Sequence, residues 1–406
     1  MIISSHCIQT APPPLTPFME RARELQAEGR DLIVLAQAVV DYAPPETFTE
    51  AIADGIRRAS TKDGLPLHLY APDAGTADLR TALSGYLSEA FEIPADPDTG
   101  IMVTPGANHA AYMALSALLE PGDEALLVTP WYFNHEMVVN LLGGQVRTVA
   151  AKHENGFVPR IDEILDSWSP RLKVLILVTP NNPTGACYSD EWIKELATAL
   201  SSDSRWSDVW VLADQTYQEI YFGSKRPLSI GSLESMRGRT ITVSSFSKSL
   251  ALAGWRLGFM TAPPQLISEL LKIQDSSVIC ASHAAQWALA QTLADRRVVD
   301  EYFSASREIL RARRDALLGP LLSDGRFTLA VPDGACFAFV GLGAGISSET
   351  FAWDLLEASG VALVPGTHFG GDGDNFVRLS FGSGSESRLQ EAAARIIKFA
   401  TQMDNA

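Results

Sequence analysis

Residues 244–259 read SSFSKSLALAGWRLGF and hold a lysine and an arginine eight positions apart. The apolar, β-branched run at 241–243 predicts a buried strand before them, and residues 254–261 predict a second short strand. Lys248 is therefore expected on a turn or short helix between two strands, where a rigid scaffold can present it to a pocket. The alternative is a solvated loop lysine, with Arg256 as a surface ion-pair partner.

The two cations suit different parts of one ligand. A desolvated lysine beside another cation has a depressed pKa and can form a Schiff base with an aldehyde. Arg256 carries a permanently charged, fork-shaped group that suits a phosphate. A phosphorylated aldehyde that bonds to lysine suggests pyridoxal 5′-phosphate (PLP) as the cofactor.

The stretch SFSKSLALAGWRLGF resembles the lysine signature of the class I and II aminotransferases, which are fold-type I PLP enzymes. The similarity extends from about Pro14 to the final helix, with the motifs in the family's order. It implies an α/β fold, with a large domain whose mostly parallel central sheet is covered by helices and a smaller α+β domain. We expect the large PLP-binding domain at 48–290, and the small domain, with an N-terminal arm, at 1–47 and 291–406. Residues 1–14 are polar and proline-rich, which predicts that the arm is extended.

Three polar residues follow short apolar strands at similar spacing. Asn182 lies in PNNPTG after LKVLILVT, a turn expected to end the strand and open the next helix; Asp214 follows VWVLA. Together with Lys248 they are separated by roughly one strand-helix-strand unit of about 30 residues. In an open α/β sheet such positions converge at the carboxyl ends of the strands, where ligands bind.

PLP chemistry gives these residues roles. A carboxylate at Asp214, opposite the pyridine nitrogen, keeps that nitrogen protonated and makes the ring an electron sink. Asn182 and Tyr217 would hold the ring oxygen O3′, and the Lys248 amine is the natural base for the substrate α-proton. The predicted catalytic residues are therefore Lys248, Asp214 and Tyr217.

A phosphate site is expected where a short strand, predicted at Ile101–Thr104, runs into PGANHAAY. Gly106 permits a tight approach, and the amides of Ala107 and Asn108 would be the free donors of a helix N-terminus. Ser245 and Arg256 complete the predicted phosphate anchor.

Two tyrosines match cofactor-contacting positions of the family. Tyr132 corresponds to the aromatic residue that stacks on the pyridine ring, with Trp131 the less favoured choice; the alternative is an ordinary core aromatic. Tyr70 corresponds to the tyrosine that reaches the phosphate of the neighbouring subunit, so the resemblance implies a homodimer. The alternative for Tyr70 is a ring packed at a loop.

The substrate is expected to bind beside Asn182. Arg378, in NFVRLSFG, matches the family's arginine for the substrate α-carboxylate, where a bidentate fork fixes orientation; the alternative is a structural strand arginine. Ala38 stands where the family usually has a glycine in the loop that approaches this carboxylate. That departure leaves the backbone approach open.

The resemblance implies an aminotransferase that moves an amino group between an L-amino acid and a 2-oxo acid. The alternative is a PLP enzyme of the same fold that performs elimination, cyclisation or oxidation, and the change at Ala38 adds weight to it. A non-catalytic PLP-binding regulator is disfavoured, because only a short proline-containing arm precedes the fold. The side-chain specificity is not readable from the sequence.

The composition limits the cellular locations and the kinds of partner that we expect. The 406 residues are 46% hydrophobic and 20% charged, with a net charge of −16 and no basic block, so we expect no nucleic-acid partner. No apolar run reaches the length of a membrane span. The cysteines lie far apart without metal-ligand spacing, which predicts free thiols, no metal site and a cytoplasmic location. They are Cys7, Cys187, Cys280 and Cys336.

Overall fold

The computed structural model describes residues 3–61, 64–343, 345–371 and 373–404. Its helices are α1 (Ser5–Gln9), α2 (Thr16–Ala27), α3 (Glu46–Ala59), α4 (Ala77–Phe91), α5 (Ala107–Leu118), α6 (Phe133–Leu141), α7 (Ile161–Asp166), α8 (Asp190–Ser202), α9 (Glu234–Arg237), α10 (Phe246–Ser249), α11 (Pro264–Ser277), α12 (His283–Ala294), α13 (Arg296–Asp324), α14 (Ser348–Ser359) and α15 (Glu386–Asp404). Its strands are β1 (Ile33–Val34), β2 (Ile101–Thr104), β3 (Glu124–Thr129), β4 (Gln145–Ala150), β5 (Leu172–Val178), β6 (Trp210–Asp214), β7 (Thr240–Ser245), β8 (Gly258–Thr261), β9 (Thr328–Leu329), β10 (Phe337–Gly341), β11 (Val361–Ala362), β12 (Val364–Pro365) and β13 (Phe376–Ser380).

The central sheet has the strand order β2-β8-β7-β6-β5-β3-β4. Strands β4, β3, β5, β6 and β7 are parallel, whereas β8 runs antiparallel to both β7 and β2. This confirms the expected mostly parallel α/β sheet. Since β5, β6 and β7 are neighbours, their carboxyl ends meet at one edge of the sheet, where open α/β folds bind ligands.

Both faces of this sheet are buried, as the unbroken apolar sequence of β5 predicts. Leu175 and Leu177 point into one hydrophobic cluster, and Ile176 points into the cluster on the opposite face. Helices α5 and α11 contribute to the second cluster. The sheet is therefore a rigid, dry platform for the loops at its carboxyl edge.

A second, smaller sheet follows in the last third of the chain. Its order is β12-β13-β10-β9, and its pairs are antiparallel. Strand β1, near the start of the chain, pairs in parallel with β11. The segment before residue 48 is thus paired with a strand from the last third of the chain. The domain limits, 48–290 for the large domain and 1–47 with 291–406 for the small one, stay a prediction.

The strand predicted at 254–261 is too long. Residues Ala253–Trp255 form a single 3₁₀ turn, and the strand begins only at Gly258. Arg256 has φ 54°, a left-handed conformation that interrupts an extended chain.

The helix expected directly after PNNPTG starts later, at Asp190. The Ser189 hydroxyl caps that helix by accepting a hydrogen bond from the amide of Trp192 at 3.1 Å. The PNNPTG segment is instead a turn, closed by Asn181 Oδ1, which accepts from the amide of Thr184 at 3.1 Å. Asparagine and proline therefore hold a loop here rather than a helix start.

The N-terminal arm also differs from the prediction of an extended segment. Ser5–Gln9 forms a short helix capped by the Ser4 hydroxyl, while residues 1 and 2 lie outside the described ranges. Across the described chain, no helix combines the length and apolar character needed to cross a membrane.

Candidate active site

A cavity opens at the carboxyl edge of the central sheet, where β5, β6 and β7 end. It brings together most of the residues predicted from the sequence. Its lining consists of Ala38, Ala107, Asn108, Tyr132, Val178, Asn182, Asp214, Thr216, Tyr217, Ser245, Ser247, Lys248 and Arg256. The cavity volume is about 120 Å³.

Lys248 projects from the four-residue helix α10, between β7 and β8. Burial lowers the pKa of its amine; the Cys336 thiol opposes this, and the positive charges of Arg256 and Arg378 add to the lowering. Within the described residues, its Nζ makes no hydrogen bond. The half-buried amine is therefore biased toward its neutral, nucleophilic form.

The predicted phosphate end is built from the start of α5 and from Arg256. Gly106 caps the helix with φ 87°, and a Cβ there would lie 2.6 Å from Arg256 Nη2. Arg256 donates from Nη2 to the carbonyl of Pro105 at 3.3 Å, which holds the guanidinium against this turn. Ala107, Asn108 and a guanidinium so placed form a donor set that fits a phosphate.

Asp214, the last residue of β6, is held by two donors. His135 Nε2 lies 3.3 Å from its Oδ2, and the amide of Thr216 donates to its Oδ1 at 3.0 Å. Burial acts to raise the pKa of Asp214, but these hydrogen bonds and the charge of His135 outweigh it and leave that pKa below its ordinary value. Asp214 is therefore a buried, ionised carboxylate.

His135 is a site residue that the sequence reasoning missed. It is buried in α6, three positions after Tyr132, with its ring edge-on to that tyrosine at 5.4 Å. The spacing of three would place both residues on one helical face. This spacing is visible in the sequence, but it does not indicate that His135 contacts Asp214.

Tyr132 presents its ring to the cavity, whereas Trp131 is not part of the lining. The Tyr132 hydroxyl donates to Asn108 Oδ1 at 3.3 Å and accepts from Asn134 Nδ2 at 2.8 Å. These bonds and the contact with His135 fix the plane of the ring. A fixed aromatic face beside the phosphate end can cover one side of a planar cofactor.

Arg378 lies in β13 and is almost fully buried, with 1% of its surface exposed. It donates from Nη1 to Asn182 Oδ1 at 2.9 Å and from Nη2 to the carbonyl of Ala36 at 2.6 Å, whereas its buried Nε has no partner in the described structure. The rings of Phe337 and Phe369 pack against the guanidinium, with their centroids 4.8 and 5.1 Å from Arg378 Cζ. Burial lowers the pKa of Arg378 to about 10, so it remains a cation at neutral pH.

The contact with Arg378 also orients Asn182. Because Oδ1 accepts from Arg378, the amide nitrogen of Asn182 faces other partners. Tyr217 lies on the same cavity wall, and burial raises its pKa well above the ordinary value, so its hydroxyl stays protonated. Both groups can donate hydrogen bonds to an oxygen on a ring in the cavity.

Of two further predicted residues, one lies at the cavity and one does not. Ala38 lines the cavity and is half-buried, in the segment whose Ala36 carbonyl accepts a hydrogen bond from Arg378. Tyr70 is 77% exposed and outside the cavity lining, next to the 69% exposed Leu69. The single chain therefore does not bring Tyr70 to the site.

Comparison with known proteins identifies the family. The model for aminotransferase class I and II matches residues 30–396. The chain belongs to the class I and II aminotransferases. In the described part of this aminotransferase, no cluster of three or more His, Cys, Asp or Glu side chains could hold a metal ion.

Named relatives cover nearly the whole chain. The aspartate aminotransferase of Pyrococcus abyssi is 32% identical, over 92% of this chain and 93% of its own length. The aromatic-amino-acid aminotransferase 2 of Thermococcus litoralis is 31% identical, over 92% and 95%. The structure of Thermus thermophilus aspartate aminotransferase with maleate is 30% identical and superposes with a TM-score of 0.89, over 98% of this chain and 100% of that chain.

These comparisons confirm the predicted fold and activity. The chain is a PLP-dependent aminotransferase, and the relatives above carry aminotransferase names rather than those of lyases, cyclases or oxidases. The residues of the cavity fit this cofactor: they offer an amine with a lowered pKa for an aldehyde, a buried carboxylate for a ring nitrogen, and helix amides with Arg256 for a phosphate.

Proposed function

We propose that this aminotransferase binds PLP through Lys248 and exchanges an amino group between an L-amino acid and a 2-oxo acid, with Arg378 holding the substrate α-carboxylate. The observation that carries the proposal is that one cavity is lined by the half-buried Lys248 and the buried, ionised Asp214. The Asn182 side chain of its wall is bonded to the buried guanidinium of Arg378, whose Nε has no partner in the described structure. These are the groups that PLP and an α-carboxylate require. When bound, the cofactor supplies an electron-withdrawing ring.

Residues around the ring would fix it in place. Asp214 would face the ring nitrogen and keep it protonated, with His135 keeping Asp214 ionised. Asn182 and Tyr217 would donate to the ring oxygen, and Tyr132 would cover one face. The proposal is supported by the contacts that hold Asp214, Tyr132 and Asn182 in place, since preorganised groups need little reordering at the moment of reaction.

The phosphate would lie between the start of α5 and β8. Ala107 and Asn108 offer amides, Ser245 offers a hydroxyl, and Arg256 offers a charged fork. The left-handed backbone of Arg256 supports this role, because strained conformations of non-glycine residues cluster at functional sites.

Lys248 would act as the base. Once a substrate amine is bound, Nζ would accept the proton that leaves the α-carbon and would later donate it to the carbon that was the cofactor's aldehyde carbon. This role needs a neutral amine near physiological pH, which the burial and the cationic neighbours of Lys248 favour. Arg378 and Ala38 would hold the substrate so that the α-hydrogen faces that amine.

A spectroscopic titration tests the proposed reaction. The purified holoenzyme is mixed with single L-amino acids, and the cofactor absorbance is followed without an oxo acid. We expect acceptable donors to convert the lysine-bound absorbance to that of the amine form, and a 2-oxo acid to restore it. Release of ammonia or of a cyclic product without this reversal would contradict transamination.

We further infer that the enzyme works as a homodimer in which Tyr70 completes the site of the partner subunit. The support is the exposure of the adjacent Leu69 and Tyr70 side chains, which suits an interface.

We also propose a cytoplasmic location, which is supported by the free thiols at all four cysteines.

Subunit complementation tests the dimer. Tyr70→Ala and Lys248→Ala variants are each expected to lose activity as homodimers. Mixed dimers should recover activity, because one of their two sites then contains both native residues. Absence of recovery in dimers verified to be mixed, or an active monomer in gel filtration, would refute the shared site.

A further inference from the structure

One segment touches both the arginine and the lysine of the site. We call residues 36–43 the strap. At its start the Ala36 carbonyl accepts from Arg378 Nη2 at 2.6 Å, and near its end the Tyr42 hydroxyl donates to the main-chain carbonyl of Lys248 at 3.0 Å. The strap thus bridges the group proposed to bind the substrate carboxylate and the group proposed to move its proton.

The end of the strap that carries Tyr42 is firmly anchored. Asp41 Oδ1 lies 2.7 Å from Arg313 Nη1, and Asp41 Oδ2 accepts from the amide of Gly384 at 2.7 Å. The Tyr302 hydroxyl donates to the Ala43 carbonyl at 2.6 Å, and its ring packs edge-on against Tyr42 at 6.2 Å. The Tyr42 hydroxyl therefore reaches Lys248 from a fixed base.

The carbonyl that receives this bond has two other donors among the described residues, and both are local. Lys248 lies in a single helical turn, and its carbonyl also accepts from the amides of Leu250 and Ala251, the latter at 3.4 Å. The Lys248 amine itself makes no hydrogen bond within the described ranges. The direction of the side chain is thus set by its backbone, and Tyr42 restrains that backbone from outside the turn.

We propose that Tyr42 is a positioning residue for proton transfer: its hydroxyl fixes the Lys248 backbone, while Ala36 on the same strap fixes the guanidinium plane of Arg378. One rigid segment thereby sets the distance between the bound carboxylate and the base. This inference rests on the proposed roles of Lys248 and Arg378. Small errors in such a distance are costly, because the reacting atoms must meet in a near-attack geometry.

The test compares Tyr42→Phe with Tyr302→Phe. Both variants remove one hydroxyl from the same tyrosine pair, but only Tyr42 contacts Lys248. In Tyr42→Phe we expect the single-turnover rate with an L-amino acid to fall about fivefold, equal to about 1 kcal/mol for one hydrogen bond. The amino-acid dissociation constant should stay within about twofold of the wild type, since Arg378 is untouched.

A kinetic isotope effect separates positioning from general loss of structure. With an α-deuterated amino acid, Tyr42→Phe should show a larger isotope effect than the wild type, because proton transfer has become slower relative to the other steps. Tyr302→Phe should keep the wild-type isotope effect and a rate within about twofold, because the two Asp41 contacts and the aromatic ring at 302 still hold the strap. An unchanged rate and isotope effect in Tyr42→Phe, or equal changes in both variants, would overturn the proposal.

Failure of this inference is distinguishable from failure of the proposed function. Borohydride reduction of the Tyr42→Phe holoenzyme should still attach the cofactor to Lys248. Attachment at Lys248 with wild-type kinetics would remove the role of Tyr42 alone. Attachment at another lysine would remove the proposed function and, with it, this inference.

Discussion

Replacement of Arg378 by methionine should separate substrate binding from stability. Methionine keeps much of the apolar stem and removes the guanidinium. Two charge-assisted hydrogen bonds to the substrate carboxylate are lost, each worth about 1.5–3 kcal/mol. We therefore expect kcat/KM for L-amino acids to fall by about 10²- to 10⁴-fold.

The free energy of unfolding should change much less. Burial lowers the pKa of Arg378 to about 10, which corresponds to a cost of about 3 kcal/mol for holding the charge in the interior. Methionine removes this cost but leaves Asn182 Oδ1 and the Ala36 carbonyl without their donor, a loss of about 2–6 kcal/mol together. The two effects largely offset each other, so the net loss of stability should not exceed about 3 kcal/mol.

The assay combines steady-state kinetics with urea unfolding monitored by circular dichroism. Arg239→Met is the matched control, because Arg239 also donates to main-chain carbonyls, including that of Leu200 at 2.8 Å. Unlike Arg378, which bonds to Asn182 of the cavity wall, Arg239 has no hydrogen-bond partner in the lining among the described residues. We expect the control to keep its kcat/KM. A kcat/KM for Arg378→Met within threefold of the wild type, or an equal loss in the control, would refute the reasoning.

Two further predictions concern the cofactor site. In His135→Phe, Asp214 loses a hydrogen-bond partner, so burial should raise its pKa. The wild-type carboxylate has a lowered pKa, so the stability it contributes is present above the unfolded pKa near 3.8 and is lost as pH falls through the folded pKa. The variant should therefore be about 2 kcal/mol less stable than the wild type in urea at pH 7, and this difference in the free energy of unfolding should narrow towards pH 4; a difference that does not change with pH would contradict the prediction. Gly106→Ala should weaken PLP binding about tenfold in an absorbance titration, because the new Cβ would meet Arg256. Gly122→Ala is the control: its φ of 91° is similar, but no atom lies within 4 Å of the new Cβ, so it should bind PLP normally. Equal PLP binding by the two variants would count against the phosphate site.

Buried strands were the part of the fold that the sequence predicted best. Ile101–Thr104 has the predicted bounds, and Leu172–Val178 differs by one residue, because a strand covered on both faces must be apolar throughout. The convergence of Asn182, Asp214 and Lys248 followed from the same pattern, since each comes at the end of such a strand.

The errors arose where side chains compete with backbone patterns. PNNPTG was expected to open a helix, but Asn181 closes a turn and the helix waits for the Ser189 cap. The strand expected at 254–261 was cut short by the left-handed Arg256. These local choices depend on hydrogen bonds that apolar periodicity does not report.

Partners that are distant in sequence were also out of reach. His135 and Asp214 lie on different elements, and only the folded sheet brings the imidazole to the carboxylate. The Tyr42 contact with Lys248 joins segments 206 positions apart. Motif matching predicted the cofactor residues, whereas the residues that hold their side chains became visible only in three dimensions.

Borohydride trapping of the cofactor tests the central claim most directly. The holoenzyme is reduced, digested and analysed by mass spectrometry. We predict that the pyridoxyl mass is found on the peptide that contains Lys248, and that Lys248→Ala carries no covalent label. A label on any other lysine, or a covalently bound cofactor in Lys248→Ala, would contradict the account.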